Sequence, residues 1–278
     1  MKRNGRHTAL ALIALVTGLG ATGWATLSAQ PAPASGQPPP ILAVVSGYMP
    51  RGGAPSSLSL VPPPPVAGSP AQARDDAVAR DAVAMRGTPR WDLATQDADL
   101  GFPAAAGTFS CALGVGINEA DTPRLYGLLR RSLGDLGLST YPTKTKYMRS
   151  RPFMVNGAPI CSPTVEAGLR RDGSYPSGHV AIGWGWALIL AEVAPDQAEA
   201  ILARGRAFGH SRVVCNVHWI SDTEEGRTMG AATVAKLHAQ TAFRDDIQAA
   251  RAEVAAARAT RLTPTRDCAR EAAQMAGG

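Results

Sequence analysis

Gly173-Ser-Tyr-Pro176-Ser177-Gly178-His179 runs directly into Val180-Ala-Ile-Gly-Trp-Gly-Trp-Ala-Leu-Ile-Leu-Ala-Glu-Val193, in which Glu192 is the single charge. An apolar run of that length suits a buried helix. Its start is marked as well. Pro176 stiffens the approach, Ser177 is a good N-cap, and Gly178 lets backbone come close to a ligand. Outward from this helix the texture stays helical. Ala-, Leu- and Arg-rich stretches recur at helical spacing over 71–85, 88–100, 121–138, 178–194, 196–210, 216–240 and 242–260, and long alternating strand patterns are absent. Pro123 near the start of one stretch and Gly137 near its end fit the start and stop asymmetry of helices. No internal repeat is visible. The sequence predicts an all-α fold, a single compact helical-bundle domain over 71–262 with a C-terminal tail at 263–278.

The 278 residues are 45% hydrophobic and 18% charged, which excludes a wholly disordered chain. A mean hydropathy of −0.06 excludes a multi-span membrane protein. The net charge is +6, but Lys2, Arg3 and Arg6 supply half of it before any acidic residue appears. The mild balance over the remaining chain does not argue for a nucleic-acid partner. That basic start precedes the apolar stretch Ala9 to Val16 and a Gly/Ala/Thr-rich segment, so residues 1–29 read as an export signal, with cleavage after Ala29 or Ala25. An uncleaved anchor is the rival reading, since Thr8 to Ala29 is about the length that crosses a bilayer. Export predicts a periplasmic or secreted protein without stable membrane insertion. It also puts Cys111, Cys161, Cys215 and Cys268 in an oxidising space, where three complete pairings are open. No CxxC pair occurs among them, which argues against a zinc site of the usual spacing. Residues 30–70 hold twelve of the 22 prolines, with Arg51 as their only charge. They predict a tether of extended, polyproline-like character, with the apolar Ile41 to Val45 as spacer.

Three segments concentrate residues that apolar helix packing does not explain: Lys144-Thr-Lys-Tyr-Met-Arg-Ser-Arg151-Pro152, Gly173 to His179, and Ser211-Arg212-Val-Val-Cys-Asn-Val-His218-Trp-Ile-Ser-Asp222. In the second, amides near Ser177 and Gly178 point out of a helix N-terminus, which favours anions, and His179 sits beside them with a titratable ring. A capped buried helix that happens to begin with His fits that segment equally well. In the third, His218 and Asp222 are four apart, one face of a helix. A carboxylate on one ring nitrogen fixes the tautomer and leaves the other as a lone pair, the wiring of a base or nucleophile. A surface ion pair is the plainer account of those two residues alone. In the first, Lys144 and Arg151 are seven apart; Pro152 disfavours helix at Arg151 and puts it at a helix end. Lys146 and Arg149 read as a solvated basic stretch. Together, Lys144, Arg151 and Arg212 against Asp222 leave a net of about +2, matching a phosphate group of roughly −1.5 to −2. His7 belongs to the export signal. His210 and His238 read as structural, and the Asp97/Asp99 and Glu224/Glu225 pairs as solvated helix faces or turns.

In this order, Lys-x6-Arg-Pro, Pro-Ser-Gly-His and Ser-Arg-x5-His-x3-Asp, the segments resemble the signature of the phosphatidic-acid-phosphatase type 2 and vanadium-haloperoxidase superfamily. Gly173 to His179 with Ala181-Ile-Gly-Trp184, Thr122 to Tyr126, Arg151-Pro-Phe153 and His218-Trp219 resemble the bacterial class A non-specific acid phosphatases in particular. The resemblance covers roughly residues 80–260. It departs at Val180, where these enzymes often have Thr, and in the Pro-rich tether. It implies His218 as a nucleophile forming a phosphohistidine, Asp222 as its orienter, and His179 as acid to the leaving alcohol and then base for water. Lys144, Arg151, Ser177, Gly178 and Arg212 would hold the phosphoryl oxygens, with no metal or other cofactor implied. The implied function is an exported acid phosphatase acting on small-molecule phosphate monoesters of broad specificity, with phosphotransferase side activity, inhibited by inorganic phosphate or vanadate. A homo-oligomer is expected from apolar helical surfaces together with the resemblance. The alternatives are a vanadate-dependent haloperoxidase and a non-catalytic helical module. A membrane lipid phosphatase would need several long apolar spans, which the sequence lacks after the N-terminal segment.

Overall fold

The computed structural model describes residues 46–276. The export segment 1–29, the first part of the proline-rich stretch with Ile41 to Val45, and the last two residues lie outside the described residues. Among the described residues there is no strand. The helices in chain order are α1 (Ser57–Leu60), α2 (Pro70–Val83), α3 (Pro89–Asp97), α4 (Ser110–Leu113), α5 (Pro123–Leu138), α6 (Tyr141–Tyr147) and α7 (Pro152–Asn156). They continue with α8 (Glu166–Leu169), α9 (Gly178–Val193), α10 (Ala198–Val214), α11 (Ile220–Leu237), α12 (Thr241–Ala259) and α13 (Cys268–Ala276). The expected all-α fold is the observed one. Several starts follow from local chemistry. Ser69 and Thr88 cap α2 and α3 by accepting the amides of Gln72 and Trp91 at 3.2 and 3.4 Å, each with a proline at the first helical position. The helix expected over 216–240 begins later, at Ile220, because Asn216 takes a left-handed φ of 61° and turns the chain before His218.

The apolar helix α9 runs through the middle, against α5, α10, α11 and α12. It has no polar face to turn outward, so neighbours must cover it on all sides. Trp186 is fully buried and donates its indole N–H to the Leu129 carbonyl at 3.0 Å, which satisfies the one polar atom it brings inside. Close approach depends on missing side chains. A Cβ at Gly230 on α11 would stand 2.7 Å from the Ala181 carbonyl oxygen, and one at Gly226 2.7 Å from that of Ser177. The N-terminal ends of α9 and α11 are thereby drawn together, and the Ser177 amide donates to the Asp222 carbonyl at 2.9 Å.

Two segments differ from their sequence reading. From residue 46 onward, the stretch expected as tether packs on the helices. Tyr48 is buried, its amide donates to Asp135 at 2.7 Å, its hydroxyl donates to Asp246 at 2.7 Å, and the Arg131 guanidinium covers its ring at 3.9 Å. Ser57 bonds the Thr140 carbonyl and the Thr143 amide, and the Pro62 carbonyl accepts the Tyr175 hydroxyl at 2.9 Å. Proline-rich backbone lacks amide donors, so side chains make most of this attachment. The residues expected as a tail form α13, held by the Cys111–Cys268 disulfide and by Glu271, which is buried against Arg204 and Arg266. Closing a loop of that length restricts the unfolded chain by about 5 kcal/mol in the chain-entropy picture. A second disulfide joins Cys161 to Cys215, so one of the three open pairings is selected by the fold. Among the described residues no helix is long and apolar enough to cross a membrane.

The contact of α11 with α9 is backbone against backbone at Gly230, so neither partner can rotate away. Gly230→Ala should lower stability by about 1–3 kcal/mol as overpacking, read as the urea midpoint at unchanged slope. An unaltered midpoint would show that the two helices can separate freely.

Candidate active site

His218 stands just before α11, with its ring buried between two partners of opposite charge. Nδ1 lies 3.2 Å from Asp222 Oδ2, and Nε2 lies 3.1 Å from Arg151 Nη1. A carboxylate only accepts and a guanidinium only donates. Nδ1 therefore carries the proton and Nε2 the lone pair. The tautomer is set from both ends. The i,i+4 relation survives although His218 is outside the helix: Asp222 is at the third helical position, where Oδ2 also accepts the Trp219 amide at 2.9 Å.

Asp222 is completely buried, and burial raises its pKa while Arg149 pulls it back down. Arg149 donates to Asp222 Oδ1 at 2.7 Å and to Asp75 Oδ2 at 2.6 Å, and also to Ser221 and Gln72 at 2.8 Å each. Asp75, on α2, fixes Ser221 in turn by accepting its amide and hydroxyl. The arginine read from sequence as solvated is thus the bridge behind the histidine. Its side chain is 9% exposed.

In front of His218 lie three buried cations. Arg151, in extended backbone before α7, donates Nε to the Leu169 and Asp172 carbonyls at 3.0 and 3.1 Å and Nη1 to the Val217 carbonyl at 2.9 Å. Lys144, on α6, donates to the Gly173 carbonyl and to Asp172 Oδ2. Burial lowers the Lys144 pKa to about 8, with Asp172 acting in the opposite sense and Arg151 in the same one. Among the described residues Arg212, at the end of α10, has no ion pair and its buried Nε has no hydrogen-bond partner; Nη1 approaches the Cys215 sulfur, at 4.0 Å. Burial, then Arg151, push Arg212 down to about 9, and it still carries its charge at neutral pH. An unpaired buried guanidinium is expensive, and the arrangement invites an anion.

His179, in the first turn of α9, faces the same charges. Its ring stacks on Phe208 at 4.9 Å, and Nε2 lies 2.6 Å from the Asp97 carbonyl oxygen. A carbonyl cannot donate, so Nε2 bears hydrogen and Nδ1 is the exchangeable nitrogen. Burial pushes His179 well below the ordinary histidine range, followed by Arg212, with a smaller part from His218. Burial does the same to His218, reinforced by Arg151, Lys144 and Arg212. Ser177 caps α9, accepting the Val180 amide at 3.3 Å. A Cβ on Gly178 would sit 3.9 Å from Lys144 Cε, so its backbone adjoins the cation cluster.

The eight residues singled out from sequence, Lys144, Arg151, Ser177, Gly178, His179, Arg212, His218 and Asp222, therefore gather around the α9 N-terminus. Three further participants escaped that reading. Asp97 is not a solvated face: its carboxylate is buried on Arg204 and Ser211, and its carbonyl holds His179. Asp172 joins Lys144 to Arg151 through Oδ2, at 3.3 and 2.9 Å. Arg149 carries no local pattern that separates it from Lys146, since its partners Asp75 and Asp222 lie 74 and 73 positions away. The neighbouring acids match their expectation better. Asp99 accepts the Gly101 amide in a turn, and Glu224 pairs with Arg74 near the surface. His210 is half-buried beside Arg90, and His238 pairs with Glu192 and meets the Phe243 ring edge-on.

Fold and site together define an all-α protein that surrounds a tautomer-fixed histidine with buried cations. The PAP2 superfamily model matches residues 128–245. An acid phosphatase of Zymomonas mobilis is 43% identical over 211 residues, which is 74% of this chain and 78% of that protein. Non-specific acid phosphatases of Providencia stuartii and Salmonella typhimurium are 41% and 40% identical over 75% and 72% of this chain, and over 84% and 80% of their own lengths. The chain belongs to the PAP2 superfamily, with the non-specific acid phosphatases.

Arg149 neutralises two carboxylates that water does not reach. Arg149→Ala should lower stability by about 3–5 kcal/mol by leaving Asp75 and Asp222 buried without their counter-charge, measured by chemical denaturation at neutral pH. A loss under about 1 kcal/mol, the range of an exposed pair, would contradict the bridge.

Proposed function

We propose that this protein is an exported acid phosphatase of the periplasm or medium that hydrolyses small phosphate monoesters through a phosphohistidine on His218. The observation that carries the reading is His218 itself: Nδ1 at 3.2 Å from Asp222, Nε2 at 3.1 Å from the Arg151 guanidinium, and three buried cations in front of it. His179 takes up a proton on Nδ1 from solvent as the phosphoryl dianion binds; His218 Nε2 then attacks phosphorus as the ester P–O bond breaks, and His179 gives that proton to the departing alkoxide. Water then loses a proton to His179 and attacks phosphorus. The N–P bond breaks, phosphate leaves, and both rings return to their starting forms. An alcohol in place of water gives phosphotransfer by the same step.

Lys144, Arg151 and Arg212, with Ser177 and the Gly178 amide, supply the charge that a divalent ion supplies elsewhere, so the reading requires no metal. All of these groups address the phosphoryl oxygens and none the alcohol, which supports broad specificity. Export rests on the basic and apolar N-terminal sequence, and a homo-oligomer remains part of the proposal.

Rapid quenching during turnover of an aryl phosphate, followed by mass spectrometry, should find phosphate on the peptide that holds His218. Phosphate on another peptide, or none while turnover proceeds, would overturn the mechanism. Turnover should persist with chelator present and be competed by vanadate and phosphate. His179→Ala should reduce alkyl phosphate hydrolysis by about 100-fold or more, and nitrophenyl phosphate hydrolysis far less, because a good leaving group needs little protonation. Equal losses on both substrates would remove the acid role.

A further inference from the structure

Asp172 stands where the proposed phosphoryl group would find two of its three cations. Its Oδ2 accepts from Lys144 Nζ at 3.3 Å and from Arg151 Nη2 at 2.9 Å. Neither cation needs that carboxylate to stay in place. Arg151 is held by the carbonyls of Leu169, Asp172 and Val217, and Lys144 by that of Gly173. Asp172 is also the least settled acid of the cluster. Its other oxygen, Oδ1, is buried without a hydrogen-bond partner among the described residues, and its side chain is 19% exposed, against 3% and 1% for the two cations. A carboxylate built as a permanent strut would have both oxygens satisfied. Charge points the same way. With Asp172 in place, Lys144, Arg151 and Arg212 face two carboxylates and leave about +1, short of the roughly −2 of a phosphate dianion.

We infer that the Asp172 carboxylate is an internal competitor, which occupies Lys144 and Arg151 in the empty enzyme and must turn away toward solvent before a phosphoryl group can bind there. The inference rests on the phosphatase reading of this site and adds a regulation to it. The carboxylate stabilises the two cations while the pocket is empty, and weakens phosphate, vanadate and substrate alike. It thereby disfavours the rebinding of product phosphate. A competitor that holds the cations nine-tenths of the time weakens anion binding about tenfold.

The test compares inhibition by vanadate and by inorganic phosphate in the wild type, Asp172→Asn and the smaller Asp172→Ser, with nitrophenyl phosphate as substrate. Both variants should bind both anions about tenfold more tightly, with KM lowered in the same sense. Unchanged or weaker inhibition in a folded variant would make Asp172 a holder of the cations and overturn the inference. Failure of both variants to fold, judged by circular dichroism, would do so too, since the carboxylate would then be structural. A wild type that neither turns over nor responds to vanadate would instead sink the phosphatase reading itself.

Discussion

Three positive groups, Lys144, Arg151 and Arg212, lie out of water around one imidazole, and the rest of the architecture can be read as a response to that burial. Charge removed from solvent is unfavourable unless partners replace the lost hydration. Backbone carbonyls at Leu169, Asp172, Gly173 and Val217 replace part of it for Arg151 and Lys144, the first from the end of the one-turn α8 and the others from loops. Such carbonyls must stay rigid to be useful. Several features hold them: the Cys161–Cys215 link, the Asn156–Asn216 side-chain pair, and the short α7 ended by Gly157 in a left-handed conformation. Arg212 receives no such collar, and its unmet hydrogen-bonding capacity gives the pocket its appetite for an oxyanion.

Precision behind the histidine comes from a different source. Asp222 is tied to α9 by backbone, through the Ser177 amide, and to α2 by charge, through Arg149 and Asp75. The glycines of α11 let the two helix starts approach until the N-cap of one meets the carboxylate-bearing turn of the other. A shift between α9 and α11 would therefore change the relation of His179 to His218 directly. The apolar packing of α9 and the alignment of the site are one mechanical problem.

The helices and the eight site residues were legible because their signals are local: apolar runs at helical spacing, an N-cap beside a proline, a histidine four before an aspartate. What stayed hidden depends on distant partners. Asp97 looks like any acid at a helix end until Arg204, 107 positions later, meets it in the core. Tyr48 sits in a stretch whose composition speaks for an extended tether, and only Asp135 and Asp246 reveal that it is clamped. Asp172 was passed over although it directly precedes the most informative motif, since a single acid between Arg171 and Gly173 carries no periodic signature. The disulfide pairing could not be chosen either, because the fold alone brings Cys161 to Cys215.

The same burial that prepares the chemistry also sets its pH dependence. Both histidines have pKa values pushed below their ordinary range, so on acidification the unfolded chain takes up their protons before the folded one does. Below about pH 6.5, their unfolded value, each therefore withdraws stability, at a limiting slope of about 1.4 kcal/mol per pH unit, until its folded pKa is reached. For His218 the shift is useful, since Nε2 keeps its lone pair at acidic pH. For His179 it is adverse, because an acid must hold a proton. A bound phosphoryl dianion would oppose that bias by favouring the charged ring and offsetting Arg212, the largest electrostatic contributor after burial. In the proposed mechanism the ligand would charge His179, whose largest opposing charge is Arg212, while Arg151 and Lys144 as well as Arg212 still oppose a charge on His218, so two rings with the same resting bias would take opposite roles.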